Sequence, residues 1–246
     1  MREQSFDVAV VDEASQLTEP DTLAAVERAD RFVLVGDHEQ LPPVVREGDL
    51  GRSLFERLIE AHPDAGVLLD RQYRMAQRIQ AFPSREFYDG ALRPATGEVA
   101  GQSLADLGGP DRDPVSFVHV DGEQAGNANP AEAERVGEVV SGLLAGGLDP
   151  ADVGVIAPFR AQVAEASRRV PEGVTVDTVD RFQGSSKEVV VVSFVATGSL
   201  DGPIFEDHRR LNVALTRAKK ALVLVGDREA LATKPLYDRM LDWAER

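Results

Sequence analysis

An apolar run near the start of the chain, FDVAVVDEASQ, ends in two adjacent carboxylates, Asp12 and Glu13. Hydrolysis of ATP needs oxygen ligands for a magnesium ion bridging the β- and γ-phosphates. A second carboxylate can orient or deprotonate the attacking water. Acids at the C-terminal end of a parallel strand stand where ligands bind in open α/β sheets. Taken alone, the pair is more simply an exposed acidic turn.

A second run, RFVLVGDHEQLPPVV, ends in Gly36-Asp37, with Gln40 three residues on. Neighbouring strands would set Asp12, Glu13, Asp37 and Gln40 along one rim, where a neutral amide can sense a γ-phosphate without adding repulsion. A third segment, LLDRQYRMAQRIQAFPSREFYDGAL, carries Arg74, whose planar fork of donors suits phosphate. Tyr73 beside it can stack on a base or pack, while Phe82, Phe87 and Tyr88 fall at helical spacing and read as core. The segment VTVDTVDRFQGSSKEVVVVSFVAT puts Thr178, Asp180, Gln183 and Gly184 in a polar turn before a long apolar strand. There Gly184 would permit close backbone approach, and Lys187 would meet a phosphate or Glu188. In HRRLNVALTRAKKALVLVGD, Arg209, Arg210, Asn212, Thr216 and Arg217 are read as one helix feeding a last strand. Lys219 and Lys220 then form a solvated helix end that complements the dipole.

These residues need a scaffold. Strands are expected at Phe6–Val11, Arg31–Val35, Gly66–Leu69, Val115–Val120, Val153–Ile156, Val174–Val176, Glu188–Val195 and Ala221–Val225. Most are continuous apolar runs, as in parallel strands covered on both faces. Helical patterns lie near 20–28, 51–62, 75–88, 130–145, 159–169, 207–218 and 235–245. The alternation gives an α/β layered fold. Asn129, Pro130 and Glu132 mark a helix start with capping-box spacing. The stretch 94–114 reads as a surface loop, and a domain boundary is expected near 62–68.

Composition bounds the rest. The 246 residues contain no cysteine, which excludes disulfides and thiolate metal sites. Four scattered histidines share no ligand spacing. No apolar run approaches the roughly 20 residues of a membrane span, no signal-peptide pattern opens the chain, and a cytoplasmic location is expected. The net charge of -15 opposes nucleic-acid binding overall, although a groove can be locally positive. Only four of the 27 basic residues are lysine, a balance that suits a very salty cytoplasm or reflects a GC-rich genome.

As an ordered set, DEASQ, GDHEQLPP, QYRM with FPSREFYDG, VDRFQG and RRLNVALTRAKKALVLVGD resemble motifs II to VI of superfamily 1 helicases. Within these, the chain resembles the Upf-like subfamily, which includes senataxin and the helicase part of Dna-type nuclease-helicases. The resemblance implies a RecA-like parallel sheet flanked by helices, of the P-loop NTPase type. Residues 66–246 would be the second RecA-like domain and 1–65 a stub of the first. The resemblance implies ATP and Mg²⁺ as cofactors. Asp12 would hold Mg²⁺, Glu13 would activate water, Gln40 would couple the γ-phosphate to the nucleic-acid groove, and Arg74 and Arg217 would act as arginine fingers. Asp37, Tyr73, Gly184 and Arg210 would lie on the nucleotide side. Pro158, Phe159, Thr178 and Gln183 would meet single-stranded DNA or RNA. Two departures are Ala76-Gln77, where the family often has His-Pro, and Ser186, where it often has glutamate.

Such motors open with a glycine-rich phosphate loop, yet the chain holds no Gly-Lys-Ser or Gly-Lys-Thr. Two functions follow as expectations. One is the C-terminal portion of an ATP-dependent helicase, inactive alone and completed by a missing or separately encoded N-terminal half. The other is a non-catalytic nucleic-acid-binding or interaction module. The strand at Arg31–Val35 is expected to have an open edge in either case.

Overall fold

A computed structural model of the protein describes residues 5–44, 51–107 and 113–246. The chain divides into two units, Met1–Leu68 and Leu69–Arg246.

The first unit holds β1 (Phe6–Val11), α1 (Glu19–Val26), β2 (Ala29–Leu34) and α2 (Leu54–Ala61). Valine and phenylalanine runs favour the extended backbone, and β1 and β2 pair in parallel with Val8 opposite Arg31 and Val11 opposite Leu34. Pro20 in the first turn of α1, with Glu19 and Asp21 beside it, suits a helix start. The Ser53 hydroxyl caps α2 by accepting from the Glu56 amide at 3.1 Å. The expected double cover of these strands is not found: Phe6 is 54% exposed, Val10 68% and Val33 51%. Within this unit two strands and two helices bury little of the sheet. The expected strand at Gly66–Leu69 is not formed, and Val67, Leu68 and Leu69 are exposed.

The second unit begins with β3 (Arg71–Gln72), α3 (Gln77–Phe87), β4 (Arg93–Pro94) and α4 (Gly97–Gly101). Then come β5 (Val115–His119), α5 (Pro130–Ala145), β6 (Val153–Ala157), α6 (Arg160–Ser167), β7 (Thr175–Thr178) and α7 (Val179–Phe182). The chain ends with β8 (Lys187–Ser193), α8 (Pro203–Glu206), α9 (His208–Leu215), β9 (Ala218–Gly226), α10 (Arg228–Leu231) and α11 (Pro235–Ala244). Strands β5, β9, β8, β6 and β7 lie in that order in one parallel sheet, and β3 pairs with β4 in a small separate one. Consecutive β8 residues point to opposite faces. Val189 and Val191 join Val136, Val140 and Leu143 of α5 in one core, and Val190 and Val192 are buried too. The sheet is therefore covered on both sides, as its continuous apolar runs require. The stretch 94–114 is more ordered than a loop, with α4 and a 3-10 turn at Leu104–Leu107; residues 108–112 lie outside the described residues. Among the described residues no helix is long and apolar enough to cross a membrane.

Candidate functional site

In the first unit, the C-terminal ends of β1 and β2 form one rim. The Val35 amide donates to Val11 O and the Ala14 amide to Val35 O, both at 2.8 Å, so pairing continues past the strand ends. Asp12 and Glu13 leave β1 exposed, and Glu13 adopts a left-handed backbone at φ 53° that turns the chain at the rim. Gln16 donates its side-chain amide to Glu13. Asp37 is a hub: its amide donates to Ser15 Oγ at 3.0 Å, while its carboxylate accepts from the Glu39 amide at 3.0 Å and from Gln40 Nε2 at 2.6 Å. Gly36 allows this closeness, since a Cβ there would lie 2.8 Å from the Ser15 nitrogen. Asp12, Glu13, Asp37 and Gln40 thus lie along one rim, although among the described residues no three carboxylates or histidines gather as a metal site of their own. Sequence reasoning passed over Ser15; its signal is a hydroxyl two residues beyond the acid pair.

In the second unit, Arg74 and Arg217 converge on Thr216. Arg74 Nη1 donates to Thr216 O at 3.1 Å, and Arg217 Nη2 donates to Thr216 Oγ1 at 3.0 Å. The Thr216 hydroxyl in turn donates to Asn212 O at 2.8 Å. Arg217 is not on the helix, since α9 stops at Leu215 and Thr216 is its C-cap. The guanidinium is buried, 2% exposed, and also donates from Nε to Val213 O at 3.1 Å and from Nη1 to Ser185 O at 3.5 Å. Arg74 is held by its own turn as well: the Gln72 side chain accepts from the Arg74 and Met75 amides at 2.8 and 2.7 Å. That role of Gln72 is not apparent from sequence, although a side-chain amide before a turn can stand in for a backbone acceptor. Tyr73, by contrast, is 75% exposed.

Arg210 bonds to Asp180 at 3.4 Å and pairs with Asp207 at 3.5 Å. Asp207 also receives the Arg209 guanidinium. Burial raises the Asp207 pKa, but the Arg209 hydrogen bonds outweigh it and hold the carboxyl below its usual range. The lysines depart from expectation. Lys187 donates to Ala151 O at 2.6 Å, and Glu188 instead receives Lys219 at 2.6 Å and Lys220 at 3.4 Å. Both of those lysines lie in β9, not at a helix end.

Pro158 and Phe159 follow β6, and Thr178 ends β7; Ala157 and Thr178 are register partners, so these residues are neighbours. From Thr178 the chain runs through α7, Gln183 and Gly184 to the start of β8, where Ser185 accepts from Arg217. The segment 178–187 therefore joins the Phe159 end of the sheet to the arginine end. Gly184 has φ +78°, and a Cβ there would meet nothing within 4 Å, so the turn requires the glycine and close packing does not.

Asn129 caps α5 by accepting from the Glu132 amide at 3.1 Å. Glu132 does not complete the expected capping box. The Asn129 amide donates to Gln162 Oε1, while the Glu132 carboxylate accepts from Ser193 Oγ at 2.5 Å and the Val195 amide at 2.9 Å. Its burial pushes the carboxyl up to about 7. Glu132 thereby ties α5 to the end of β8, where Val195 takes the unusual φ of 73°.

Residues 1–47 and 50–229 each match a family described as an AAA domain. An ATP-dependent helicase of Methanocaldococcus jannaschii is 38% identical over 98% of this chain, which covers 39% of that protein. A DNA replication ATP-dependent helicase/nuclease of Arabidopsis thaliana is 37% identical over 96% of the chain and 20% of its own length. The human DNA replication ATP-dependent helicase/nuclease is 35% identical over 96% of the chain and 26% of its own length. The chain thus spans well under half of each of these relatives. Among solved structures, the PRRSV helicase aligns over 89% of this chain and 34% of its own at 18% identity and a TM-score of 0.49.

Proposed function

Since this chain belongs to the AAA-domain family, as a C-terminal part of a superfamily 1 helicase, we propose that it supplies the hydrolytic carboxylates and both arginine fingers of an ATP-driven motor on single-stranded DNA or RNA. The observation that carries this reading is the shared grip of Arg74 and Arg217 on Thr216. Two guanidiniums, from distant segments of the sequence, are held at one point of the fold.

The carboxylates on the rim of β1 and β2 are hard oxygen donors, of the kind that takes a magnesium ion carried by a nucleotide. The nucleotide supplies the phosphoanhydride whose γ-phosphoryl passes to water. Asp12 would hold the metal, and Glu13 would take the proton of the attacking water. Gln40, anchored on Asp37, would present its amide to the γ-phosphate. Arg74 and Arg217 would stabilise charge on the transferring oxygens, a contribution of about 10³–10⁵ in rate in such motors. Exposed Tyr73 offers a face to adenine. Arg210, fixed by Asp207 and Asp180, would serve the nucleotide side together with the Gly184 turn. Pro158, Phe159, Thr178 and Gln183 would contact the strand, and segment 178–187 would carry the coupling.

The chain holds no Gly-Lys-Ser/Thr loop, and on this reading the β- and γ-phosphates would be cradled by residues outside these 246. The bare apolar surface of β1 and β2 supports cover by strands of that further segment. The test joins the chain to a phosphate-loop segment, in one polypeptide or two, and measures ATP hydrolysis with and without single strands. Strand-stimulated turnover in the joined motor, lost in Asp12→Asn, is expected, with none from the chain alone. Helicase-like turnover by the chain alone, or full turnover in the joined Asp12→Asn variant, would overturn the assignment.

A further inference from the structure

A cleft of about 590 Å³ opens between α3, β4 and α4, apart from every residue assigned above. Three arginines line it: Arg71, Arg85 and Arg93. Arg71 and Arg93 are direct register partners on the paired strands β3 and β4, so two like charges stand side by side. Such a pair is destabilising unless an anion lies between the charges. Compensation within the protein is slight. Arg71 stands 3.7 Å from Asp70, on an exposed pair. Arg85 bonds to Glu86 at 2.9 Å, but Glu86 is also held by Arg239 at 2.6 Å. That contact from Arg239, foremost, holds the Glu86 carboxyl below its usual range. Among the described residues no carboxylate lines the cleft. This concentration stands out in a chain of net charge -15: from Asp70 to Glu98, five arginines meet four carboxylates.

The floor is rigid and already satisfied. Buried Gln80 and Ser84 both donate to Leu92 O, at 2.7 and 2.9 Å. They hold β4 against α3 and leave the guanidiniums as the cleft's principal donors. Among the described residues no aromatic side chain lines the cleft, so it offers no base-stacking platform of the kind that sequence-tolerant single-strand grooves combine with positive charge. Small apolar side chains between the arginines, such as Pro94 and Ala95, suit a sugar. A free nucleotide would want a face for its base and an enclosing wall, and this open cleft has neither.

We propose that this cleft binds the sugar–phosphate backbone of single-stranded nucleic acid, with Arg71, Arg85 and Arg93 on successive phosphates and no contact to the bases. The site would add a backbone contact to the strand contacts proposed for Phe159 and Thr178; it rests on the chain being a nucleic-acid motor part, but its test separates the two. Fluorescence anisotropy with the whole chain would compare a labelled oligothymidylate with an abasic deoxyribose-phosphate oligomer of equal length, across a salt series. Wild type should bind both. Arg71→Gln/Arg93→Gln should weaken both about tenfold at low salt. It should also flatten the slope of log affinity against log salt by about 0.7 for each single-strand phosphate that the variant no longer neutralises. Both side chains are exposed, so its melting temperature should hold or rise. Arg85→Gln, on a different element, should act in the same direction. Phe159→Ala should instead weaken the thymidylate and spare the abasic oligomer. Unchanged slopes in both arginine variants would overturn the cleft while leaving the Phe159 path standing, and failure of wild type to bind the abasic oligomer at low salt would overturn it too.

Discussion

The guanidinium of Arg74 rests on the carbonyl of Thr216, 3.1 Å away, although the two residues are 142 positions apart in the sequence. The hydroxyl of the same threonine accepts from Arg217 at 3.0 Å. One residue therefore sets the position of two proposed fingers, which makes Thr216 a positioning residue. Thr216→Val keeps the shape but removes the hydroxyl that accepts from Arg217 Nη2, at a cost of about 1 kcal/mol. In the joined motor it should lower kcat with little change in KM for ATP. Thr216→Ser restores the hydroxyl and should restore turnover. If Val and Ser variants turn over alike, the Thr216 hydroxyl does not position Arg217.

Arg74 and Arg217 should differ when removed. Arg217 is buried and donates to Val213, Ser185 and Thr216, whereas Arg74 is half-buried. Arg217→Ala should therefore destabilise the isolated chain by about 2–4 kcal/mol, from the loss of charged hydrogen bonds and the void it leaves. Arg74→Ala should cost less, about 1 kcal/mol. In the joined motor both should cut turnover severely, and lysine should rescue little because it lacks the planar fork. Thermal melts beside single-turnover hydrolysis separate the effects. Full turnover in a folded Arg74→Ala motor would remove Arg74 from the finger assignment.

Much of this arrangement is legible in the sequence because local chemistry fixes it. The continuous valine runs of β6, β8 and β9 announce a doubly covered parallel sheet, and the Asn129-Pro130 pair marks the start of α5. Other parts depend on distant partners. Glu132 stands at capping-box spacing, but Ser193 and the Val195 amide outcompete the Asn129 amide for its carboxylate. Arg217 reads as helical by spacing, but α9 ends at Thr216, whose hydroxyl bonds back to Asn212 O and leaves Arg217 to lead into β9. Val10 and Phe32 read as core from hydropathy alone, yet both are exposed. Hydropathy reports a residue's preference for cover without specifying which segment supplies it.

Glu132 gives a pH prediction. Burial, opposed by Ser193 and the Val195 and Phe194 amides and assisted by Asp227, raises its folded pKa from 4.5 to about 7. The folded state then holds a proton that the unfolded state has released between these values. Stability contributed by the protonated form is full below about pH 4.5 and is lost as pH rises through about 7, a difference of about 3 kcal/mol. Glu132→Gln keeps an acceptor for Ser193 and Val195 but cannot ionise. The difference in melting temperature, wild type minus variant, should fall steadily from about pH 5 to about pH 7.5. A flat difference would mean that Glu132 stays ionised in the fold.

The loop after β8 bears on the proposed strand contact of Phe159. Gly202 has φ +114°, a conformation L side chains rarely adopt, and a Cβ there would lie 2.6 Å from Phe159 Cζ. Gly202→Ala must therefore strain the backbone and push the ring aside. Gly198, in the same loop, has φ +92°, but a Cβ there would meet nothing within 4 Å. Gly198→Ala strains the backbone by a similar amount, about 1–3 kcal/mol, without touching Phe159. Both variants should melt earlier than wild type. If the seating of Phe159 serves strand binding, Gly202→Ala should lose affinity for oligothymidylate as Phe159→Ala does, by about fivefold to a hundredfold for one base stack of roughly 1–3 kcal/mol. Gly198→Ala should keep it. Equal affinity in the two glycine variants, measured by anisotropy well below their melting temperatures, would show that the ring's position does not matter to the strand.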